Sequence, residues 1–444
     1  MPSNARQIET MRGDSLDASL YAEGDRPQLP SLSRGVVLTG LSRAFDLAEG
    51  RPPGHAQRVA YIATAVASTM GLSRRKLEDV FFASLLHDAG MAASNPASRE
   101  RVADVASLVR RDGGTRVDAR NWHNVAEALG EHCQAGARIA RKLGLSDAVA
   151  AAIEGHHDTW TGFQLSETRS KANALVTGIV AAADRMESMI EHEGSPLLVR
   201  RHGKDLIETM AGGEVEPRIA ETLARVANRD EFWLGLYDND LADYLMVVDT
   251  TAPLSNGELM DFLGVISDVV DMRGCREPGR SRRVADLASS LAIACGLDDE
   301  TAQMVHAAAL LQDIGTFGVP VQYLTKPDIL TVDEMTSMEM HPVHARDILS
   351  EIPGFGAAAW WVGCHHERVD GKGYPGMLEG DEVPLEAQII GMAETFVALV
   401  STRPYRPAMA PEDALEVVRG MCGTRFDDLL IPCLESALTD INLP

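Results

Sequence analysis

Aromatic side chains are scarce, at 5% of the residues, and alternating runs of Val, Ile and Thr are nearly absent. Strands draw on both, so few strands are expected. The six cysteines (Cys133, Cys275, Cys295, Cys364, Cys422 and Cys433) include no Cys-x-x-Cys pair. That argues against a disulfide framework or a thiolate zinc site, and for reduced, mostly buried thiols. Positive charge is also short: 41 Lys+Arg against 65 Asp+Glu leave a net charge of −24. Such a surface repels polyphosphate backbones and anionic headgroups, so nucleic-acid polymers and membranes are not expected partners, whereas metal cations are favoured. The longest uncharged apolar stretch, about Ala172 to Ala183, falls short of the roughly 18 residues that a membrane span needs. The start shows no cationic-then-apolar signal pattern, and a cytoplasmic location is expected.

What remains is a helical chain with 45% hydrophobic and 24% charged residues. Its 444 residues suggest two or three domains, each large enough to bury a core. Residues 1–35 mix Ser, Gly, Pro and charge without a period, as expected of a mobile arm. Beyond them Val59, Ile62, Ala63, Val66 and Met70, then Leu77, Val80, Phe81, Ser84 and Leu85, recur at the spacing of one helix face.

The chain repeats itself. The segment from Gly54, GHAQRVAYIATAVASTMGLSRRKLEDVFFASLLHDAG, lies without a gap on GRSRRVADLASSLAIACGLDDETAQMVHAAALLQDIG from Gly279, at an offset of 225. Past an insertion in the first copy the offset is 209, which sets His132 on His341 and His156-His157 on His365-His366. Asp184 falls on Glu394, one residue further. An all-α tandem duplication is expected, with domains at 36–250 and 251–444 joined near the Pro, Ser and Gly stretch 248–257.

In the first copy His55, His87, Asp88, His132, His156, His157 and Asp184 each interrupt an apolar helical stretch. A buried set of this size would leave polar groups short of partners unless a metal satisfied them. Imidazoles and carboxylates without thiolates suit Fe or Mn, and a short carboxylate such as Asp88 can bridge two divalent ions about 3.5 to 4 Å apart. Helical bundles build such sites from facing helices.

The series H-x-x-R-V, L-L-H-D-x-G, H-x-x-x-G, H-H and A-D resembles the HD superfamily of metal-dependent phosphohydrolases. The second copy resembles its HD-GYP branch through HHERVDGKGYPGMLEGDEVPLEAQIIGMAETFVAL and TRPYRPAMAPEDALEVVRGMCGTRFD. The resemblance implies a helical bundle holding metal ions and, in that branch, hydrolysis of cyclic dinucleotides such as cyclic di-GMP or cyclic GMP-AMP. It also implies that Arg403 and Arg406, with Lys372 and Tyr374 of the Gly-Tyr-Pro loop, bind ligand phosphates, a role suited to the planar guanidinium fork.

Each copy departs from that pattern in its own way. The second has Arg280, Gln312, Thr316 and Glu394 where the family has His, His, Lys and Asp. Catalysis and metal are therefore expected in the first copy only. The first copy lacks the Gly-Tyr-Pro loop, carries Met91 in place of the lysine, and has Glu193 and Pro196 opposite Arg403 and Arg406, with Arg200 and Arg201 nearby. Arg51 stands where three-metal members carry a Glu, which favours two ions over three. The expected activity is a metal-dependent phosphodiesterase with Asp88, His132 and His156 in the reaction. The second copy is expected to sense a small phosphate ester or dock a signalling protein at its Gly-Tyr-Pro loop. The alternatives are an inactive cyclic-dinucleotide receptor and, from family relatives, a di-iron oxygenase.

Overall fold

The computed structural model describes residues 27–93, 119–161, 173–237, 241–402 and 407–440. Among them there is no strand beyond isolated bridges such as Asp370 with Glu379, so the all-helical expectation is met. No helix among them is long and apolar enough to cross a membrane. The chain separates into two compact units, one of residues 33–253 and one of residues 254–444 together with the segment up to 32. Arg34 and Gly35, read from sequence as part of the arm, already belong to the first helix.

The first unit runs through α1 (Arg34–Glu49), α2 (His55–Thr69), α3 (Arg74–Leu86), α4 (Gly90–Ala93), α5 (Ala119–Lys142), α6 (Asp147–Gly155) and α7 (Ala174–Glu193). Five shorter helices follow between 196 and 248. α2 shows how sequence becomes packing. Val59, Ile62, Ala63 and Val66 recur at helical spacing, are fully buried, and lie where α2 meets α3 and α7. Each Val or Ile there contributes about 1.5–3 kcal/mol by leaving water.

The entry to α2 is set from α1. Gly54 takes a left-handed conformation at φ +87°, open to glycine without strain. Asp46 accepts the Gly54 N–H at 2.7 Å and the Ala56 N–H at 3.0 Å, satisfying two amide donors at the helix start. His55, between them, is thereby aimed into the core, where it is 1% exposed.

The second unit repeats this plan with α13 (Asn256–Arg273), α14 (Arg280–Ala294), α15 (Asp299–Leu311), a 3-10 turn (Ile314–Gly318), α16 (Val321–Leu324), α17 (Val332–Glu339), α18 (His341–Leu349), α19 (Gly356–Cys364), α20 (Leu385–Val400), α21 (Pro411–Arg419) and α22 (Leu430–Asp440). Asp271 repeats the role of Asp46, accepting the Ser281 N–H at 3.0 Å and its hydroxyl at 2.7 Å. Trp361 is fully buried and Trp360 half-buried. All six cysteines are free. Only Cys133 and Cys364 are buried, which corrects the expectation of mostly buried thiols: the ends of helices leave Cys275 exposed and the other three half-buried.

Candidate metal centre

The first copy's residues converge at the junction of α2, α3, α5, α6 and α7. His87 and Asp88 follow the last turn of α3, His132 projects from α5, His156 and His157 follow α6, and Asp184 sits midway along α7. Five imidazoles are pinned or paired here, three through Nδ1 and two through facing Nε2 atoms. His87 Nδ1 donates to Ser84 O at 2.8 Å, His156 Nδ1 donates to Ile153 O at 2.7 Å, and His55 Nδ1 lies 2.5 Å from a Glu187 carboxylate oxygen. His157 Nε2 lies 3.1 Å from His132 Nε2. Anchoring one ring nitrogen to a carbonyl or carboxylate is how proteins orient metal-ligating histidines.

Asp88 lies between two groups of these rings. Its Oδ2 is 2.8 Å from His87 Nε2 and 3.8 Å from His55 Nε2, while its Oδ1 is 3.3 Å from His156 Nε2 and 3.5 Å from His132 Nε2. Asp184 Oδ1 lies 3.7 Å from His87 Nε2 and 3.8 Å from His55 Nε2. His55, His87, Asp88 and Asp184 thus form one cluster whose donor atoms lie within 4.8 Å of one another, and His132, Cys133, His156 and His157 form a second. His156 Nε2 and Asp184 Oδ1 are buried without a hydrogen bond. Buried polar atoms rarely stay unpaired, so these two, aimed into a nest of donors, fit a cation.

The electrostatics agree. Burial pushes the Asp88 and Asp184 carboxyls up, but imidazoles (His87, His132 and His156 around Asp88, His87 and His55 beside Asp184) reverse this and hold both well below the usual carboxylate range. Burial likewise lowers the imidazoles, yet Asp88 and Asp184 hold His87 well above its ordinary value, while Cys133 and Asp88 raise His156 to about 10. Two buried carboxylates demand positive charge. Imidazolium protons supply it in the metal-free chain, and a bound cation would displace them. His157 is driven well below its ordinary value by burial and by His156 and His132, which leaves it neutral.

Sequence reading missed four neighbours. Glu187, fully buried, holds His55 and is itself held by Arg58 at 2.7 Å. Its spacing of three residues after Asp184, on the same face of α7, was the available signal. Cys133 Sγ lies 3.6 Å from His132 Nε2, and although burial raises the thiol, His156 and His132 bring it down to about 6. Glu49 and Glu191 take up the guanidinium of Arg51. Met91 is buried on α4, and Arg200 pairs with Asp230 at 2.5 Å in solvent.

In the second unit two arginines reach this region, Arg280 at the position of His55 and Arg276 at that of Arg51. Arg51 corresponds to Arg276 at the offset of 225, but Glu49 becomes Gly274, and Glu191 becomes Ser401 at the offset of 210. Without those carboxylates Arg276 turns onto Asp313, the counterpart of Asp88. Arg280 lies 3.4 Å from Asp313 and 2.9 Å from Glu394. Burial raises Asp313, but Arg276, Arg280 and His341 hold it well below the carboxylate range. Gln312 is fully buried, and neither its amide oxygen nor its nitrogen makes a hydrogen bond.

The Gly-Tyr-Pro loop is tied down beside this cluster. Glu367 accepts the Leu378 N–H at 3.0 Å and the Gly376 N–H at 2.5 Å. Gly373 packs so tightly that a Cβ would lie 2.5 Å from Arg368 N and from Glu367 Cα. Tyr374 lies over His366, with ring centroids 4.8 Å apart. Lys372 extends into solvent, 79% exposed and 3.8 Å from Asp370. Arg403 and Arg406 lie outside the described residues.

A buried two-part nest of imidazoles and carboxylates inside a duplicated helical bundle defines a class of metal-binding hydrolase folds. Models described as HD domain match residues 54–189 and 264–430, and the chain is a tandem HD-domain protein. It is 29% identical to the 3'3'-cGAMP-specific phosphodiesterase 3 of Vibrio cholerae serotype O1, over 90% of this chain and 94% of that one. The 3'3'-cGAMP-specific phosphodiesterase 1 of the same organism is 26% identical over 85% of each chain. A crystal structure of a cyclic GMP-AMP-specific phosphodiesterase of V. cholerae (V-cGAP3) superposes with a TM-score of 0.63 at 25% identity, covering 92% of this chain and 98% of that one.

Proposed function

We propose that this protein is a metal-dependent phosphodiesterase acting on a cyclic dinucleotide, with 3'3'-cGAMP the leading candidate and cyclic di-GMP the second. Its chemistry belongs to the first unit. The observation that carries this reading is the division of Asp88, whose two oxygens face separate imidazole groups at 2.8 and 3.3 Å, an arrangement suited to bridging. His55, His87 and Asp184 would hold one divalent ion, His132, His156 and His157 the other, and Asp88 would share both. Fe or Mn suits this donor set. When bound, such ions lower the pKa of a water and neutralise charge on phosphoryl oxygens. Two ions rather than three accord with Arg51, whose fixed charge takes up Glu49 and Glu191.

The chain's own residues do the positioning. Glu187 fixes the His55 ring, Ser84 O and Ile153 O fix His87 and His156, and the burial of all three excludes bulk water. Met91 offers no proton where the family's lysine would stand, so the proton for the leaving group would have to come from elsewhere than that position, and His132 and His156 act by holding the second ion. The second unit we read as the sensing or docking half, with Tyr374 at its cluster and Arg403 and Arg406 following α20 in sequence. Six unpaired cysteines accord with a reducing, cytoplasmic setting.

The test is hydrolysis of both cyclic dinucleotides by Fe- or Mn-loaded wild type, Asp88→Asn and Asp313→Asn. Removing the shared carboxylate should cost about 100-fold or more, while the Asp313 variant, normalised to folded protein, should stay within a few-fold of wild type. Absence of turnover on either nucleotide, or equal losses in the two variants, would overturn the assignment.

A further inference from the structure

In the second unit α22 packs against α14, and a cysteine stands on each side of that contact. Leu430, Leu434 and Ala437 recur at helical spacing along α22 and are buried. Cys433 precedes Leu434 at the edge of that face, and Cys295 caps the C-terminal end of α14. The two thiols, 138 positions apart in sequence, meet in the fold. Cys295 donates a hydrogen bond to the Cys433 sulfur, and Cys433 donates to Leu429 O at 3.5 Å.

Both sulfurs are half-buried and so within reach of a small solute, whereas Cys133 and Cys364 are buried. Cys422 donates to the backbone at Val418 O, at 3.7 Å, and Cys275 is exposed beyond the end of α13. Burial and the Cys433 sulfur hold the Cys295 thiol above its usual range, so Cys295 keeps its proton and Cys433 is the sulfur that reacts first. Two sulfurs held together by packed helices favour each other over any dissolved thiol, because folding has already removed the entropy of bringing them together.

We propose that Cys295 and Cys433 form a reversible redox pair, oxidised by hydrogen peroxide to a disulfide that fastens α22 onto α14. In the first step the Cys433 sulfur attacks peroxide, the O–O bond breaks, and Cys433 becomes a sulfenic acid while its proton leaves with the other oxygen as water. The Cys295 sulfur then attacks the sulfenic sulfur, the S–O bond breaks, and hydroxide departs with the Cys295 proton as a second water. Two thiols thus give two electrons to one peroxide. Dithiothreitol reverses the bond by thiol exchange. One transient bridge of this kind is compatible with reducing surroundings, and it is not the framework that the cysteine spacing argues against.

The test uses the full chain, reduced with dithiothreitol, desalted and treated with hydrogen peroxide. Remaining thiols are blocked with iodoacetamide in urea, and the peptides are mapped by mass spectrometry without reduction. Wild type should yield Cys295 and Cys433 joined in one peptide pair, and renewed dithiothreitol should return both thiols. The bridge closes a span of 138 residues, so oxidation should raise the Tm of the second unit by roughly 4–16 °C in wild type and leave it unchanged in Cys295→Ser and Cys433→Ser. Cys275→Ser should still form the linked pair. No linked peptide from folded wild type, Cys433 joined as often to Cys275 as to Cys295, or a bridge whose closure leaves the Tm of wild type unmoved would overturn the proposal. The wild-type readouts decide the matter even where a serine variant fails to fold.

Discussion

The backbone contact beneath the metal centre gives the sharpest prediction. Gly90 opens α4 directly against α5, and a Cβ built there would lie 1.8 Å from His132 O and 2.6 Å from Gly136 N. Ordinary contact begins near 3.4 Å, so Gly90→Ala must move α4 and α5 apart by about 1.6 Å, and the obstacles are backbone atoms that cannot rotate away. Overpacking of this kind costs about 1–3 kcal/mol, or roughly 2–12 °C in Tm for a unit of this size. The displaced carbonyl belongs to His132, so the ring moves too, and a misplacement of about 1 Å costs on the order of 100-fold in rate. Gly315→Ala is the internal control. Its Cβ would lie 1.9 Å from His341 O and 2.5 Å from Ala345 N, nearly the same clash in the second unit. Calorimetry should show comparable destabilisation in both variants, while hydrolysis should collapse only in Gly90→Ala. A Gly90→Ala protein that melts like wild type and keeps its activity, or equal losses of activity in the two variants, would refute the reasoning.

Glu187→Ala should weaken metal binding in the first unit by about 10–100-fold in a chelator competition, because His55 loses the carboxylate that orients it; unchanged affinity would show that the ring is held otherwise. Ile62→Ala should lower unfolding free energy by about 2–5 kcal/mol in urea, since the side chain is fully buried; a smaller loss would mean that the core closes over the gap. In the Gly-Tyr-Pro loop, the Arg368 side chain holds the Asp370 carboxyl down to about 2, below its unfolded value of 3.8. A depressed carboxyl stabilises the fold above its unfolded value and loses that contribution as pH falls through the folded one. Amide signals of Gly371 and Gly373 should therefore titrate near pH 2, and an inflection near 4 would exclude the pair.

Much of this was legible in the sequence because duplication and ligand spacing are written in residue identity. The helical periods around Val59 and Val80, the offset of 225, and the series from His55 to Asp184 each correspond to elements now seen. What escaped were residues whose role depends on which helices meet. Glu187 acts across α7 onto α2, and Cys133 is an ordinary small residue until α5 turns it beside His132. Counting substitutions in the second copy also passed over how close its three remaining imidazoles lie, since a tally carries no geometry. The tautomers of His341 and His365 are set by Met338 O and Val362 O, backbone atoms that no sequence pattern marks.

The divergence of the two copies turns on the company that one arginine keeps. Arg51 and Arg276 occupy the same place in the repeat, just before the helix that carries the first ligand position. In the first unit Glu49 and Glu191 draw the guanidinium to themselves, while Asp88 faces four imidazoles and the carboxyl of Glu49. In the second, Gly274 and Ser401 offer no charge, and the half-buried Arg276 closes on the buried carboxylate of Asp313 instead. Arg280 then joins the same carboxylate where His55 would have offered a lone pair. On the proposed two-ion reading, a unit whose Asp313 is held by two guanidiniums would not gain such a site through Gln312→His alone. The arginines would have to be drawn off first, and for Arg276 that means restoring carboxylates at Gly274 and Ser401.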